Sequence, residues 1–192
     1  MTASECRDKI KTNIRSRPKP NKFIPENELK LILQRADPRY RAFFIILVET
    51  GYRVEDALSV RRWQLARAAD TRVLALTEAK TGKNREVPLT ETALKAVESS
   101  LRASRGVHPF NYVFESLRFV KRAKRHRSTV YRQFILACKR AGYSGKGYTI
   151  HSLRKVYAHR LYDRVRSLRM VQADLNHDSP NTTRIYLSDL ED

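Results

Sequence analysis

The chain has 192 residues, with 39 Lys and Arg against 20 Asp and Glu and a formal net charge of +19. Hydrophobic residues make up 41%, and glycine and proline number only 6 and 7, which excludes collagen-like, mucin-like and wholly disordered chains. The length fits one domain with a short arm, and so large a positive charge destabilises the compact state unless a polyanion neutralises it, which points to nucleic acid as the partner.

Residues 1–22 are polar and basic, holding Arg7, Lys9, Lys11, Arg15, Arg17, Lys19 and Lys22. Pro18 and Pro20 argue against continuous helix there, so the segment reads as an arm or linker before a domain over 23–192. From Pro25, Leu29, Ile32, Leu33 and Ala36 recur at helical spacing. Arg39 to Thr50 has a nearly all-apolar centre and stops at Gly51, a helix C′ residue; this reads as a buried helix, although periodicity alone leaves a strand open. A second helix is expected from about Val54, with Ala57, Leu58 and Trp63 on its apolar side, Trp63 in the core.

Arg72 to Leu76 and Glu86 to Leu89 have strand character, and Gly82 supplies a turn between them, which predicts a β-hairpin with a basic connection. Thr90 opens a helical pattern with Ala93, Leu94, Val97 and Leu101, and residues 102–112 read as a loop. Lys121-Arg122-Ala123-Lys124-Arg125-His126-Arg127 packs five basic residues into seven positions. Ser128 fits the N-cap of a helix using Tyr131, Phe134, Cys138 and Ala141 as one face. Helical segments are expected at about 150–164 and 167–176, and Ser179-Pro180 places Ser at the N-cap and Pro at N1 of a short last helix. The expected fold class is α+β: mainly α with one small antiparallel β-sheet.

The longest apolar run, Ala42 to Val48, is far short of a bilayer span, and no secretory pattern opens the chain, so a cytoplasmic, nucleoid-associated protein without membrane contact is expected. Cys6 and Cys138 match no zinc or redox spacing and read as two reduced thiols. No group of Asp, Glu, His or Cys has two-metal or zinc spacing, so no metal site is expected.

Singly, the polar residues look ordinary; their joint pattern does not. Glu49-Thr50-Gly51-Tyr52-Arg53-Val54-Glu55-Asp56-Ala57-Leu58 comes first, followed by Lys80-Thr81-Gly82-Lys83 with Val87-Pro88-Leu89. His151-Ser152-Leu153-Arg154 is third, and Leu175-Asn176-His177-Asp178-Ser179 with Thr182-Thr183-Arg184-Ile185-Tyr186 is last. In kind, order and separation these segments resemble the arginine box, lysine hairpin, H-x-x-R box and nucleophile segment of the tyrosine recombinase (phage integrase) catalytic domain. The resemblance runs from about Phe23 to Leu187.

The resemblance implies a site-specific recombinase that breaks and rejoins duplex DNA through a 3′-phosphotyrosine on Tyr186, releasing a 5′-hydroxyl. Arg53 and Arg154 would hold the non-bridging oxygens of the scissile phosphate by forked hydrogen bonds and offset the charge of the transition state. His151 would accept the tyrosine proton, His177 donate to the phosphate, and Lys80 protonate the departing 5′-oxygen, with Lys83 the alternative acid. Asp56 reads as a carboxylate buttressing the site, and His159 as packing. No cofactor is implied: guanidinium groups replace a metal, and the covalent ester conserves the energy for rejoining. The run Lys121, Arg122, Lys124, Arg125 and Arg127, with Lys83 and Arg85, reads as a surface for DNA phosphates, which would make affinity fall steeply with salt.

Three departures from the family pattern carry expectations. Only about 22 residues precede the catalytic pattern, where many members have a clamp domain, so the chain resembles either an excised catalytic domain or the short single-domain members. Asn176 stands where the family usually has Gly, and Asn tolerates left-handed backbone angles. Six residues follow Tyr186, offering Leu187 and Leu190 as anchors for another protomer, so a monomer in solution is expected, forming dimers or tetramers on DNA, with accessory DNA-bending proteins as further partners. A type IB topoisomerase-like nicking-closing enzyme and a DNA-binding regulator that has lost strand exchange remain the alternatives.

Overall fold

The computed structural model describes residues 22–104, 108–115, 123–177 and 179–187, except the side chains of Ile185 and Tyr186. The arm over 1–21 and the basic residues Lys121 and Arg122 lie outside the described residues. Among those described, helices α1 (Glu26–Arg35), α2 (Pro38–Thr50), α3 (Val54–Leu58) and α4 (Arg62–Thr71) precede strands β1 (Val73–Thr77) and β2 (Asn84–Pro88). Helices α5 (Glu91–Ala103), α6 (Arg127–Arg140), α7 (Ile150–Val165), α8 (Leu168–Asp174) and α9 (Pro180–Leu187) follow. The expected class, mainly helical with a small antiparallel sheet, is what the chain forms.

Helix α2 is the axis of the core. Asp37 caps it by accepting the Arg39 N–H at 2.9 Å, Pro38 occupies N1, and Gly51 ends it at φ 63°. Phe43, Phe44, Ile46, Leu47 and Val48 are all buried, because α5 covers one side of α2 and α7 another. Gly51 is required twice over. Its backbone is left-handed, and a Cβ there would sit 2.3 Å from the Tyr157 ring of α7, so only glycine lets the two segments meet.

The hairpin pairs Leu74 with Val87 and Leu76 with Arg85, and these four side chains are buried while Ala75, Thr77, Asn84 and Glu86 face outward. A smaller core of Tyr157, Ala158, Val171, Leu175 and Leu187 ties α8 and α9 to α7. Leu187 is 5% exposed within it, so its burial, worth about 1.5–3 kcal/mol, serves its own chain and corrects its reading as an anchor for another protomer. Leu190 lies outside the described residues.

Several local expectations are corrected. The helix from Val54 stops at Leu58, and Trp63 belongs to α4. There Leu65 and Ala68 take the buried positions, leaving Trp63 42% exposed instead of in the core. His126, not Ser128, caps α6, accepting the Ser128 N–H on Nδ1 at 3.3 Å. The buried face of α6 is Val130, Phe134, Ala137 and Cys138, which turns Tyr131 out to 38% exposure. Burial pushes the Cys138 thiol up to about 12, so it is an inert packing group. His159 is buried and stacked on Phe23 with ring centroids 4.2 Å apart, a packing role. Asn176 does adopt the left-handed conformation, at φ 51°.

Candidate active site

The segments singled out in the sequence converge where the C-terminus of α2, the N-terminus of α7 and the hairpin loop meet. Arg53, at the N-cap of α3, Lys80 in the loop, Arg127 on α6 and His151 in the first turn of α7 line one cleft of about 700 Å³. Tyr131 and Arg132 of α6 line it too. The sequence marks neither for this place: helical spacing puts Tyr131 on the apolar face, and nothing local distinguishes Arg132 from other solvated arginines.

Arg154 lies beneath this cleft, 3% exposed. Its Nη1 donates to the Gly51 carbonyl, and Nη2 donates to the Leu175 carbonyl at 2.7 Å. Those acceptors are the last turn of α2 and the turn after α8, so the guanidinium is held by backbone on two sides. Nη2 also lies 3.4 Å from His177 Nε2. His177 is 7% exposed, and its Nδ1 sits 3.0 Å from the hydroxyl of Thr183, itself buried on α9. The His177–Thr183 contact thus ties the turn after α8 to α9, the helix whose backbone carries position 186. The Tyr186 side chain lies outside the described residues.

Two carboxylates complete the floor. Glu78, fully buried, takes a hydrogen bond from Arg53 Nη1 on Oε2, while its Oε1 is 3.9 Å from Arg154 Nη1. Asp56 is 5% exposed and accepts the Ala79 N–H at 2.9 Å, tying the loop that bears Lys80 to α3. Burial, reinforced by the nearby Glu78 charge, holds the Asp56 carboxyl above its ordinary range. Glu78 was missed in the sequence, although an inward alternation of Leu74, Leu76 and then residue 78 was available to find it.

His151 is held below the usual imidazole range, first by desolvation from the surrounding protein and then by the charges of Arg154 and Arg127. Its neutral form is therefore favoured near pH 7. Lys80 and Lys83 are exposed on the loop. Tyr157 is poorly suited to nucleophilic attack: it is buried, its hydroxyl donates to Asp174 at 3.0 Å, and burial next to that carboxylate pushes it up to about 12.

The basic residues assigned to DNA divide into two sets. Arg127 is exposed at the cleft. Lys124 is engaged with Glu55 at 3.1 Å and Ser59 at 3.0 Å, and Arg125 lies over the Tyr40 ring at 4.5 Å while donating to the carbonyls of Glu115 and Arg39. The assignment of Arg85 is corrected. It is 5% exposed, donates to the Thr50 carbonyl at 2.7 Å and to Asp174 at 2.8 Å, and lies beside the Tyr52 ring. An inward strand position has made it an internal tie from the hairpin to α2 and α8. Among the described residues, no helix is long and apolar enough to cross a membrane, and no group of three or more His, Cys, Asp or Glu could hold a metal ion.

The chain as a whole is similar to known proteins. The chain is 28% identical over 166 residues to tyrosine recombinase XerA of Pyrococcus horikoshii, covering 86% of this chain and 56% of the relative. It is 30% identical over 177 residues to tyrosine recombinase XerD of Vibrio vulnificus, covering 86% and 55%, and 27% identical over 166 residues to the probable integrase/recombinase YoeC of Bacillus subtilis, covering 86% of each. The chain thus spans about half the length of the Xer relatives it matches. Its fold superposes on a crystal structure of XerA recombinase with a TM-score of 0.72 at 28% identity, covering 85% of this chain and 59% of that one. It also superposes on a lambda integrase dimer bound to a COC′ core site, with a TM-score of 0.67 at 25% identity, covering 92% and 62%. The phage integrase family profile matches residues 22–192, which take in the described floor of arginines, the hairpin loop and the last helix, and the chain belongs to that family.

Proposed function

We propose that the chain is the catalytic part of a site-specific DNA recombinase that cleaves and rejoins strands through a covalent phosphotyrosine. The observation that carries this reading is the convergence of Arg53 and Arg154 on one buried anion, Glu78, beside a cleft lined by His151 and Lys80. Two guanidiniums so placed suit the non-bridging oxygens of a phosphodiester, where charge builds as phosphorus becomes five-coordinate. The Tyr186 oxygen attacks phosphorus, its proton passes to His151, and the bond to O5′ breaks. O5′ leaves with a proton from Lys80, and the 3′-phosphate remains esterified to the enzyme. A phenol has a pKa near ~10, so a neutral imidazole and a cationic site are what make it a nucleophile near neutrality. His177 donates to a phosphate oxygen. Lys83 and Arg127 meet flanking phosphates and position the duplex without reading its sequence. The substrate is duplex DNA, and the working assembly is two or four protomers on DNA, helped by DNA-bending proteins. The protein is cytoplasmic and nucleoid-associated when bound.

The test is a nicked duplex carrying candidate sites from the native locus, designed so that the cleaved fragment is lost and rejoining cannot occur. A denaturation-resistant adduct forms in EDTA with the wild type, and Tyr186→Phe abolishes it while gel-shift affinity stays within a few fold. Strict dependence on Mg²⁺, or an adduct surviving in Tyr186→Phe and mapping to Tyr162, contradicts the proposal.

A further inference from the structure

Glu78 is the least expected group in the site. Its side chain is 0% exposed, and a carboxylate out of water needs close compensation. Oε2 has it, from Arg53 and from the Thr81 hydroxyl at 3.1 Å. Oε1 accepts no hydrogen bond among the described residues and has only the 3.9 Å approach of Arg154 Nη1. The carboxylate thus spans the two guanidiniums to which the proposed function assigns the phosphate, with one oxygen well held and the other poorly held. Glu78 also closes the turn of the hairpin. Its N–H donates to the Lys83 carbonyl at 3.0 Å, and its own carbonyl accepts the Gly82 N–H at 2.8 Å. Lys80 hangs between those two bonds.

We infer that Glu78 is a positioning residue that occupies the anion seat of Arg53 and Arg154 in the free protein and yields it to the DNA phosphate, and that its withdrawal shifts the loop carrying Lys80. Two guanidiniums held this close need a counter-ion when no DNA is bound, and Glu78 supplies it from within. A phosphodiester brings its own negative charge to the same donors. Glu78 and the phosphate then repel, and the less completely bonded carboxylate gives way. Asp56 is placed differently: the charges of Arg53, Arg154 and Glu78 all reach it, but its bonded oxygen accepts from the Ala79 backbone and so anchors the loop. The inference rests on the proposed function, since it takes the arginine pair to be the phosphate site.

Inorganic sulfate is the probe, titrated at constant ionic strength and followed on the Arg53 Nε–H resonance, which reports this seat despite other basic residues on the chain. Glu78→Gln keeps the shape and removes the charge, so sulfate should bind roughly tenfold more tightly or better than to the wild type, given the size of charge–charge terms at this range. Adding Arg53→Ala to Glu78→Gln should abolish the gain, read then on the Arg154 Nε–H resonance. In the wild type, saturating sulfate should also move the Gly82 amide resonance, the sign that the turn has shifted. A merely structural role for Glu78 predicts the opposite, a looser site that binds sulfate no better. Thr81→Val, which removes the hydroxyl donor to Oε2 together with the acceptor of the Lys83 N–H at 3.3 Å, should give a gain of two- to threefold in the same direction and decides the matter if Glu78→Gln does not fold. Equal or weaker sulfate binding in these variants, or an unmoved Arg53 resonance in both proteins, overturns the inference. The covalent adduct on Tyr186 is measured separately and stands or falls without it.

Discussion

Arg154 and Lys80 bring the same charge to the same site, and the fold treats them in opposite ways. Arg154 is 3% exposed and held by two backbone carbonyls from separate elements, whereas Lys80 is exposed on a six-residue turn between two five-residue strands. The contrast follows the tasks proposed for them. Charge stabilisation of a transition state works best when donors are fixed beforehand, because no reorganisation is then needed at the moment of reaction. Proton delivery to a leaving oxygen needs an ammonium that can reach and withdraw, and a four-carbon stem on a surface turn provides that. The floor is accordingly built into the core, while the lysine rests on the rim, connected to the floor through Glu78 and Asp56.

The largest effects are expected at the floor. Arg154→Ala leaves the Gly51 and Leu175 carbonyls without their donor and deprives buried Glu78 of a compensating charge, so it should cost about 3–5 kcal/mol of stability in denaturant titration. Adduct formation should be lost with it. Gly51→Ala tests the same floor from the backbone side. It forces a Cβ to within 2.3 Å of the Tyr157 ring at φ 63° and should cost about 1–3 kcal/mol from overpacking, with a matching fall in adduct yield as the carbonyl serving Arg154 shifts. An exposed-loop control, Lys80→Ala, should leave the denaturant midpoint unchanged, and any loss there comparable to Arg154→Ala erases the distinction between floor and rim.

A smaller effect concerns His151. Its pKa is lowered in the folded protein, so the neutral form is the one the fold favours. The unfolded chain binds this proton first as pH falls. The contribution is therefore fully present above the ordinary imidazole value of about 6.5 and is lost as pH drops from there through the lower folded value. The acid limb of single-turnover cleavage should likewise lie below that ordinary value, because the role proposed for His151, accepting the Tyr186 proton, needs the neutral imidazole. Cleavage that fails already above it contradicts the assignment of His151 as base, and His151→Gln should remove the limb.

Much of this was legible in the sequence, for local reasons. The Thr50-Gly51 helix end, the Lys80 turn and the left-handed Asn176 each depend on a few adjacent residues with strong backbone preferences, and each formed as read. For Arg85, charge and position point opposite ways, and position decides. It sits opposite Leu76 on the inward face of the hairpin, where strand alternation places it inside. The same alternation carries Glu78 inward one step past the end of β1. Trp63 was misplaced because a helix break at Ser59 resets the apolar face, and no proline or glycine marks that break. The contact of His177 with Thr183 was out of reach for another reason: it joins a turn to a helix through the way α8 and α9 pack on α7, which no local spacing encodes.

The division of labour between floor and rim is tested most directly by replacing the bridging 5′-oxygen of the scissile phosphate with sulfur. Expelling an alkoxide needs a proton, and a general acid supplies a factor of roughly 10²–10⁴ in rate, so Lys80→Ala should slow cleavage of ordinary DNA by about that factor. A thiol has a pKa near ~8.5 and leaves as thiolate without help. Lys80→Ala should therefore cleave the sulfur substrate nearly as fast as the wild type does. A milder floor variant, Arg154→Lys, should remain slow on both substrates, since the non-bridging oxygens it must hold are unchanged. Rescue of Arg154→Lys by sulfur, or rescue of Lys83→Ala in place of Lys80→Ala, would contradict the account.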